Sequence, residues 1–325
     1  MAQAVAREAR VTAGRVRAGQ VVAAAVAGIA RSAFTRADLV EALGARLPVT
    51  VEAAAADPLE VVEALAGRAA VRISEPRAAH EREGHERFTA APMIAEEIAV
   101  WEMIGARSTA AVIDAAAVDT AGLSADQRRA VAAVAASPWL VQVLTAPAGA
   151  GKTTSLRALR AAAHAGEIGR VVVVAPTGRA VDVALAEGAA DTGATVASAL
   201  ADLREGRWQL DAATLLLVDE AGMVGTPALR ELLAATTTAG VKTVLVGDAH
   251  QLAPVRSRGG MFAELVADLP WAQHLSQVWR MGDPGERDAS LVIRDGAGAQ
   301  LAAAVGWYRD AGRLHTGDPV TMAAD

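Results

Sequence analysis

The chain has 325 residues, 53% of them hydrophobic, which is enough to bury a large core and to build two domains. Its formal net charge of −6 argues against non-specific attraction to nucleic acid over the whole surface and leaves room for a local basic track. The absence of cysteine excludes disulfides, thiolate zinc sites and a cysteine nucleophile, and fits a reducing cytoplasm. Much of the apolar content is alanine and valine, as a GC-rich genome dictates, so alanine excess says little about structure.

Near the start, VVAAAVAGIARSAF (21–34) has the small residues of a leader peptide, but Val22, Val26 and Ile29 fall at helical spacing. An amphipathic core helix explains it better. In FTRADLVEALGARLP, Thr35 and Asp38 form a capping-box pattern, Leu39, Leu43 and Leu47 share one face, and Pro48 ends the helix. DPLEVVEALAGRAA repeats that logic with Asp57 as cap and Pro58 in the first turn. VRISEP and ERFTA are expected to pair as a hairpin across the charged EREGH turn. These elements predict a mainly helical, winged-helix-like accessory domain over 1–118. HEREGHE is not a zinc-protease helix: His80 and His85 are five residues apart, on different helix faces.

From residue 119 the pattern changes. LVQVLT, RVVVVA, TLLLVD and KTVLVG are short, continuous, β-branched runs separated by helical stretches, as in strands buried on both faces of a parallel sheet. The fold class is therefore α/β. The longest uncharged stretch, Ala130 to Gly151, is interrupted by Ser137, Pro138, Gln142 and Pro147, which rules it out as a membrane span.

Lysine occurs only at Lys152 and Lys242 in this arginine-rich chain, and Lys152 closes APAGAGKTT. This matches the P-loop pattern G-x-x-x-x-G-K-[ST], with Ala146 in place of the first glycine. The small residues Ala148, Gly149, Ala150 and Gly151 let successive N–H groups curl around an anion, and a helix opening at Lys152 adds its positive end. Lys152 then reaches the β- and γ-phosphates of ATP, Thr153 ligates Mg²⁺, and Thr154 completes the loop. In TLLLVDEAGM, Asp219 sits at a strand's carboxyl end, where it can hold Mg²⁺, and Glu220 can orient and deprotonate the attacking water. In VLVGDAHQLAPV, the amide of Gln251 can sense a γ-phosphate.

APAGAGKTT, APTGRA (175–180), DEAGM (219–223) and GDAHQLAPV (247–255), in this order, resemble the first core domain of RecD-like superfamily 1 helicases. LSADQRRAV (123–131) resembles the glutamine motif of those helicases, in which Gln127 would read the adenine edge. VWRMGDPGERDASLVIRDG (278–296) is most similar to the helicase region of MobF-type conjugative relaxases, and there Arg280 would reach the γ-phosphate. The resemblance implies a RecA-like P-loop sheet over 119–277 and the start of an incomplete second core domain over 278–325. It also implies ATP and Mg²⁺ as cofactors and single-stranded DNA as the track, travelled 5′ to 3′. Pro176, Thr177, Arg179 and Thr195 would touch DNA. A relaxase domain or conjugation machinery would be the further partner, without membrane insertion.

Trp271, Trp279 and Trp307 are candidates for base stacking or for core, and Arg256 and Arg258 for phosphate contacts or solvated loop charges. The later helicase motifs and a relaxase's nicking domain do not appear, so a fragment or truncated homologue is expected. Two further readings stay open: a nucleotide- and DNA-binding module without unwinding activity, and a P-loop ATPase that is not a helicase.

Overall fold

The computed structural model describes residues 18–47, 58–76, 80, 84–166, 168–251, 254, 257–279, 281–296 and 298–314. The chain divides into two compact units, one of residues 1–106 with 223–235 and 253–261, the other of 107–222, 236–252 and 262–325.

The first unit is mainly helical. Helix α1 (18–28) is followed by α2 (Arg36–Gly44), where the Thr35 hydroxyl accepts from the Asp38 N–H while the Asp38 carboxylate accepts from the Thr35 N–H at 2.8 Å. That reciprocal pair satisfies two helix-end donors, as the sequence spacing predicts. Helix α3 (Pro58–Ala69) begins at the expected proline; its cap Asp57 lies outside the described residues. Strands β1 (Ala70–Arg72) and β2 (Phe88–Ala90) form the expected antiparallel ribbon, with Ala70 opposite Ala90, and α4 (Ala91–Ile104) follows. Val26, Ile29, Phe34, Leu39, Leu43, Phe88 and Met93 close a core between these elements, which is why the leader-like stretch is a core helix.

Arg258 belongs to this unit. It is buried, with its guanidinium on the Glu96 carboxylate and on the Val26 carbonyl at 3.4 Å. It is an internal ion pair and not a phosphate contact; Arg256 lies outside the described residues.

The second unit is built on a six-stranded sheet in the order β5-β4-β6-β7-β3-β8, every pairing parallel. The strands are β3 (Val141–Thr145), β4 (Arg170–Ala175), β5 (Thr192–Thr195), β6 (Thr214–Val218), β7 (Lys242–Gly247) and β8 (Gln273–His274). Helices α5 (Ala125–Ala136), α6 (Lys152–Ala165), α7 (Gly178–Ala186), α8 (Val196–Arg204) and α10 (Met261–Asp268) connect or precede them, while α9 (Thr226–Thr238), between β6 and β7 in sequence, belongs mostly to the first unit. A final pair, α11 (Pro284–Asp295) and α12 (Ala299–Asp310), closes the described chain.

Strand residues alternate between faces. Val171, Val173, Leu215, Leu217, Val244 and Val246 pack on one face with Val131 and Val134 of α5 and Leu156 and Leu159 of α6. Val172, Val174, Leu216, Val218 and Leu245, facing the other way, are equally buried. Burial on both faces explains why these strands are apolar runs and not alternating ones. Truncating a side chain such as Leu217 to alanine would cost roughly 2–5 kcal/mol. The order is the one expected of a RecA-like P-loop sheet, since β7 separates β3, which leads into residues 146–151, from β6, which ends just before Asp219. Parallel order brings the carboxyl ends of all these strands, and the loops they carry, to one edge.

Candidate nucleotide-binding site

At that edge, residues 146–151 join β3 to α6. Gly149 (φ 82°) and Gly151 (φ 76°) take left-handed backbone conformations, which glycine adopts without a steric cost. A Cβ at Gly151 would also collide with the Gln127 amide nitrogen. Lys152 is the first residue of α6, so its ammonium and the helix's unpaired N–H groups share one side of the loop.

Lys152 Nζ donates to Glu220 Oε1 at 2.8 Å and pairs with Asp219 Oδ1 at 2.8 Å. Burial pushes the Lys152 ammonium's pKa down, but the two carboxylates outweigh it and leave it above the ordinary lysine value. Asp219 extends β6 by donating its N–H to the Val174 carbonyl at 2.8 Å. Glu220, at φ 52°, is the only non-glycine residue among those described with a positive φ, a conformation costing about 1–2 kcal/mol. It turns the chain at the strand end, and the Glu220 carboxylate meets Lys152 there.

These groups line an open cavity of about 1250 Å³ that also includes Ala148, Gly149, Gly151, Thr153, Thr154, Gln127 and Gln251. Ala150, within the loop, is buried, and Gln251 is an exposed residue of the wall. Arg280 lies outside the described residues.

Gln127 is buried, and both ends of its amide are engaged. Oε1 accepts from the Ser124 N–H at 2.9 Å, and Nε2 donates to the Ala150 carbonyl at 3.1 Å and the Gly151 carbonyl at 3.4 Å. The side chain proposed to read a base therefore holds the phosphate loop in this structure.

The expected DNA residues follow neighbouring strand ends, since Ala175 of β4 is in register with Thr195 of β5. Thr177 and Thr195 cap α7 and α8, accepting from the Ala180 N–H at 3.2 Å and the Ser198 N–H at 3.1 Å. Thr177 and Arg179 line the same cavity as Lys152, whereas Pro176 and Thr195 do not.

The tryptophans separate. Trp271 stacks on Trp139 (centroids 4.2 Å apart) and donates its indole N–H to the Val141 carbonyl at 3.1 Å, so it is packed structure. Trp307 meets Tyr308 edge to face. Trp279, 56% exposed, lines the nucleotide-sized cavity, and its backbone N–H donates to the Gly149 carbonyl at 2.7 Å. The sequence leaves Trp279 between base stacking and core; what ties it to the phosphate loop is this backbone bond to Gly149. Arg157, one and a half turns into α6, is a further wall residue that no motif of the sequence marks.

The donor set suits a hard cation held mainly by phosphate. Among the described residues no cluster of three or more His, Cys, Asp or Glu side chains could hold a metal, while Asp219, Glu220 and Thr153 offer oxygen ligands beside the loop. Magnesium in nucleotide sites is held by one or two carboxylates plus phosphates, and an ammonium already sits between the two acids. No helix of the described residues is long and apolar enough to cross a membrane.

Known proteins share part of this sequence. The chain is 36% identical over 203 residues to a probable conjugal transfer protein TraA of Sinorhizobium fredii, covering 62% of this chain and 18% of that protein. It is 34% identical over 174 residues to the conjugal transfer protein TraA of Agrobacterium fabrum, covering 54% and 15%. The chain thus spans less than a fifth of the length of these relatives. Among solved structures, the Pif1 helicase from Candida albicans superposes with a TM-score of 0.43 at 22% identity, over 61% of this chain and 49% of that one. The sequence profile of the AAA domain family matches residues 122–319, from the turn ahead of the Gln127 helix through the phosphate loop and both carboxylates to beyond α12; the chain belongs to that family.

Proposed function

We propose that this chain is the ATP-hydrolysing motor domain of a DNA helicase of the RecD-like kind, working on single-stranded DNA as part of a conjugative relaxase-helicase. The observation that carries the reading is the convergence of Lys152, Asp219 and Glu220 on one cavity at the carboxyl edge of a parallel sheet. Backbone N–H groups of the loop and the Lys152 ammonium bind the phosphates, and Thr153 and Asp219 hold Mg²⁺. The metal, when bound, neutralises charge developing on the phosphate oxygens. Glu220 exchanges its Lys152 partner for a water, orients it and takes its proton. Gln251 senses the terminal phosphate from the wall, and Arg280 approaches it from the segment 278–325, the start of a second core domain.

Trp279 forms the platform for the base. Gln127 reaches the adenine edge only by releasing one of the loop carbonyls it now holds. Pro176, Thr177, Arg179 and Thr195 carry single-stranded DNA along the strand ends, Arg179 lying where the track and the phosphate cavity meet. The similarity to the two conjugal transfer proteins supports the conjugative setting.

The test is ATP turnover with and without single-stranded DNA. Stimulation by DNA that disappears in Lys152→Ala supports the motor reading; equal rates with and without DNA refute it. Strand displacement then separates a motor from a binding module, because a module binds both ligands and unwinds nothing.

A further inference from the structure

Asp126 is buried at 4% exposure, yet its bonding partners are all hydroxyl and N–H groups. A buried carboxylate persists only where several donors replace water. Oδ1 serves the start of α5, accepting from the Ser124 hydroxyl and from the Gln127 N–H at 2.9 Å. Oδ2 serves a segment 150 residues away, accepting from the Ser276 N–H at 3.0 Å and the Gln277 N–H at 3.1 Å, with the Ser276 hydroxyl at 3.5 Å. Burial raises the Asp126 pKa, but the Ser124 hydroxyl and the N–H groups of Ser276, Gln277 and Gln127 prevail and bring it down to about 2. Nothing in α5 requires Oδ2.

The segment it grips is the strap that leaves the sheet and enters the cavity. Leu275 donates its N–H to the Thr145 carbonyl at 2.9 Å, and Trp279 donates its own to the Gly149 carbonyl at 2.7 Å. Between those anchors the only two consecutive N–H groups held by a side chain are the pair on Asp126. The next residue along the helix, Gln127, grips the Ala150 and Gly151 carbonyls. One helix end therefore holds the phosphate loop with one side chain and the Trp279 strap with its neighbour.

We infer that Asp126 is a positioning residue for nucleotide binding: acting through the N–H groups of Ser276 and Gln277, it fixes the Trp279 platform against the phosphate loop. This rests on the nucleotide-site reading above.

The experiment uses the full chain and ADP as the probe. In Asp126→Asn, the amide oxygen keeps the Gln127 N–H while the NH₂ group faces two N–H donors, so the strap is released without a change of volume. The ADP dissociation constant rises on the order of tenfold, the loss expected for hydrogen bonds to a charged group. In a Trp279→Ala background the same substitution adds nothing, because the platform it positions is gone. Amide exchange of the nucleotide-free chain accelerates at Ser276 and Gln277 and is unchanged in β4, β6 and β7. If Asp126→Asn does not fold, Gln277→Pro removes one of the two N–H groups from the other side and weakens ADP in the same direction.

Wild-type ADP affinity with undisturbed exchange at 276 and 277 overturns the inference. So do additive effects of the two substitutions with protection lost throughout the sheet, which mark a merely structural role. A folded wild-type chain that binds no ADP overturns the nucleotide reading itself, and this inference with it.

Discussion

Lys152 and Lys242, the two lysines of the chain, stand at opposite ends of one parallel sheet and are held by different kinds of oxygen. Lys242 opens β7 and is fully buried; its ammonium donates to the carbonyls of Ala111 (2.9 Å), Ala135 (3.1 Å) and Ser137 (2.7 Å). Two of these belong to the carboxyl end of α5, where the helix does not pair its own last carbonyls and its dipole is negative; that of Ala135 also accepts from the Ile113 N–H at 2.9 Å. All three ammonium hydrogens are engaged by fixed backbone, with no room for a ligand. Lys152 instead faces two carboxylates across an open cavity. A cation can replace it between those acids, and a phosphate can replace the acids beside it. The same side chain is a rivet at one end of the sheet and an exchangeable contact at the other.

The sharpest way to break this comparison is to remove each lysine in turn. Lys152→Ala should lower ATP turnover on the order of a hundred- to a thousand-fold, the loss of one preorganised charge donor at a reacting phosphate. Its denaturant midpoint should move little, because the pairs it loses are partly solvated. Turnover close to wild type would end the argument for the site.

Lys242→Met should do the reverse. Stripping the donor from buried carbonyls should cost about 3 kcal/mol of stability, read from urea unfolding, while turnover of the folded fraction is kept. Its pH dependence separates the two lysines further. Burial pushes the Lys242 amine down to about 8 from an ordinary 10.5. Below pH 8 folded and unfolded chains both carry the proton, and the folded one bears the whole cost of a buried charge. Between pH 8 and 10.5 the unfolded chain holds more protons, so wild type gains stability, by up to about 3 kcal/mol. Lys242→Met lacks that gain, and parallel pH curves for the two proteins would refute the assignment.

The contrast also explains what the sequence could and could not announce. The interior strands β3, β4, β6 and β7 are legible because burial on both faces demands apolar runs. The edge strands are not: β5 reads TGAT, with its first two residues exposed and its last two half-buried, and β8 is a two-residue pairing of Gln273 and His274, so neither needs a hydrophobic pattern. At the cavity, Lys152, Thr153, Asp219 and Glu220, which the structure brings together, are legible because a phosphate-binding loop of the kind proposed would restrict those positions to few residue types. Asp126 is not, because its partners are backbone N–H groups that any sequence at 276 and 277 would supply. Lys242 is invisible for the same reason, its partners being carbonyls. Trp279 was legible as an aromatic but not in its location, which depends on where β8 releases the chain.

A smaller effect is expected where α11 meets the loop after β7. Asp248, nearly buried, takes the Arg294 guanidinium at 2.7 Å and the His250 N–H at 3.0 Å. Burial raises its pKa, but Arg294 and His250 more than compensate and hold it below the ordinary carboxylate value. Arg294→Ala should cost about 2 kcal/mol. Because the folded pKa is depressed, the pair's contribution is complete above the unfolded value of 3.8 and fades as pH falls below it. An acid-unfolding midpoint that moves upward in Arg294→Ala is the expected readout; an unchanged midpoint would show the pair to be idle.

The smallest effect belongs to the end of the sheet where β3 begins. Just ahead of β3, Trp139 lies nearly parallel to Trp271 on one side, and the Arg107 guanidinium stands 4.4 Å from its ring centre. If this end is held by packing alone, Arg107→Ala should cost only about 0.5–1 kcal/mol, as an exposed cation–π contact does. Trp271→Leu should remove the stacking of two indoles and the bond to the Val141 carbonyl, roughly 1–2 kcal/mol together. Since both act through Trp139, the double variant should lose less or more than the sum, and a cycle of urea midpoints measures that difference. Neither should alter ADP affinity, because the stack precedes β3 and the phosphate loop follows it; a change in affinity with Arg107→Ala would show that the two ends of the sheet are coupled and that the division drawn between the lysines is too sharp.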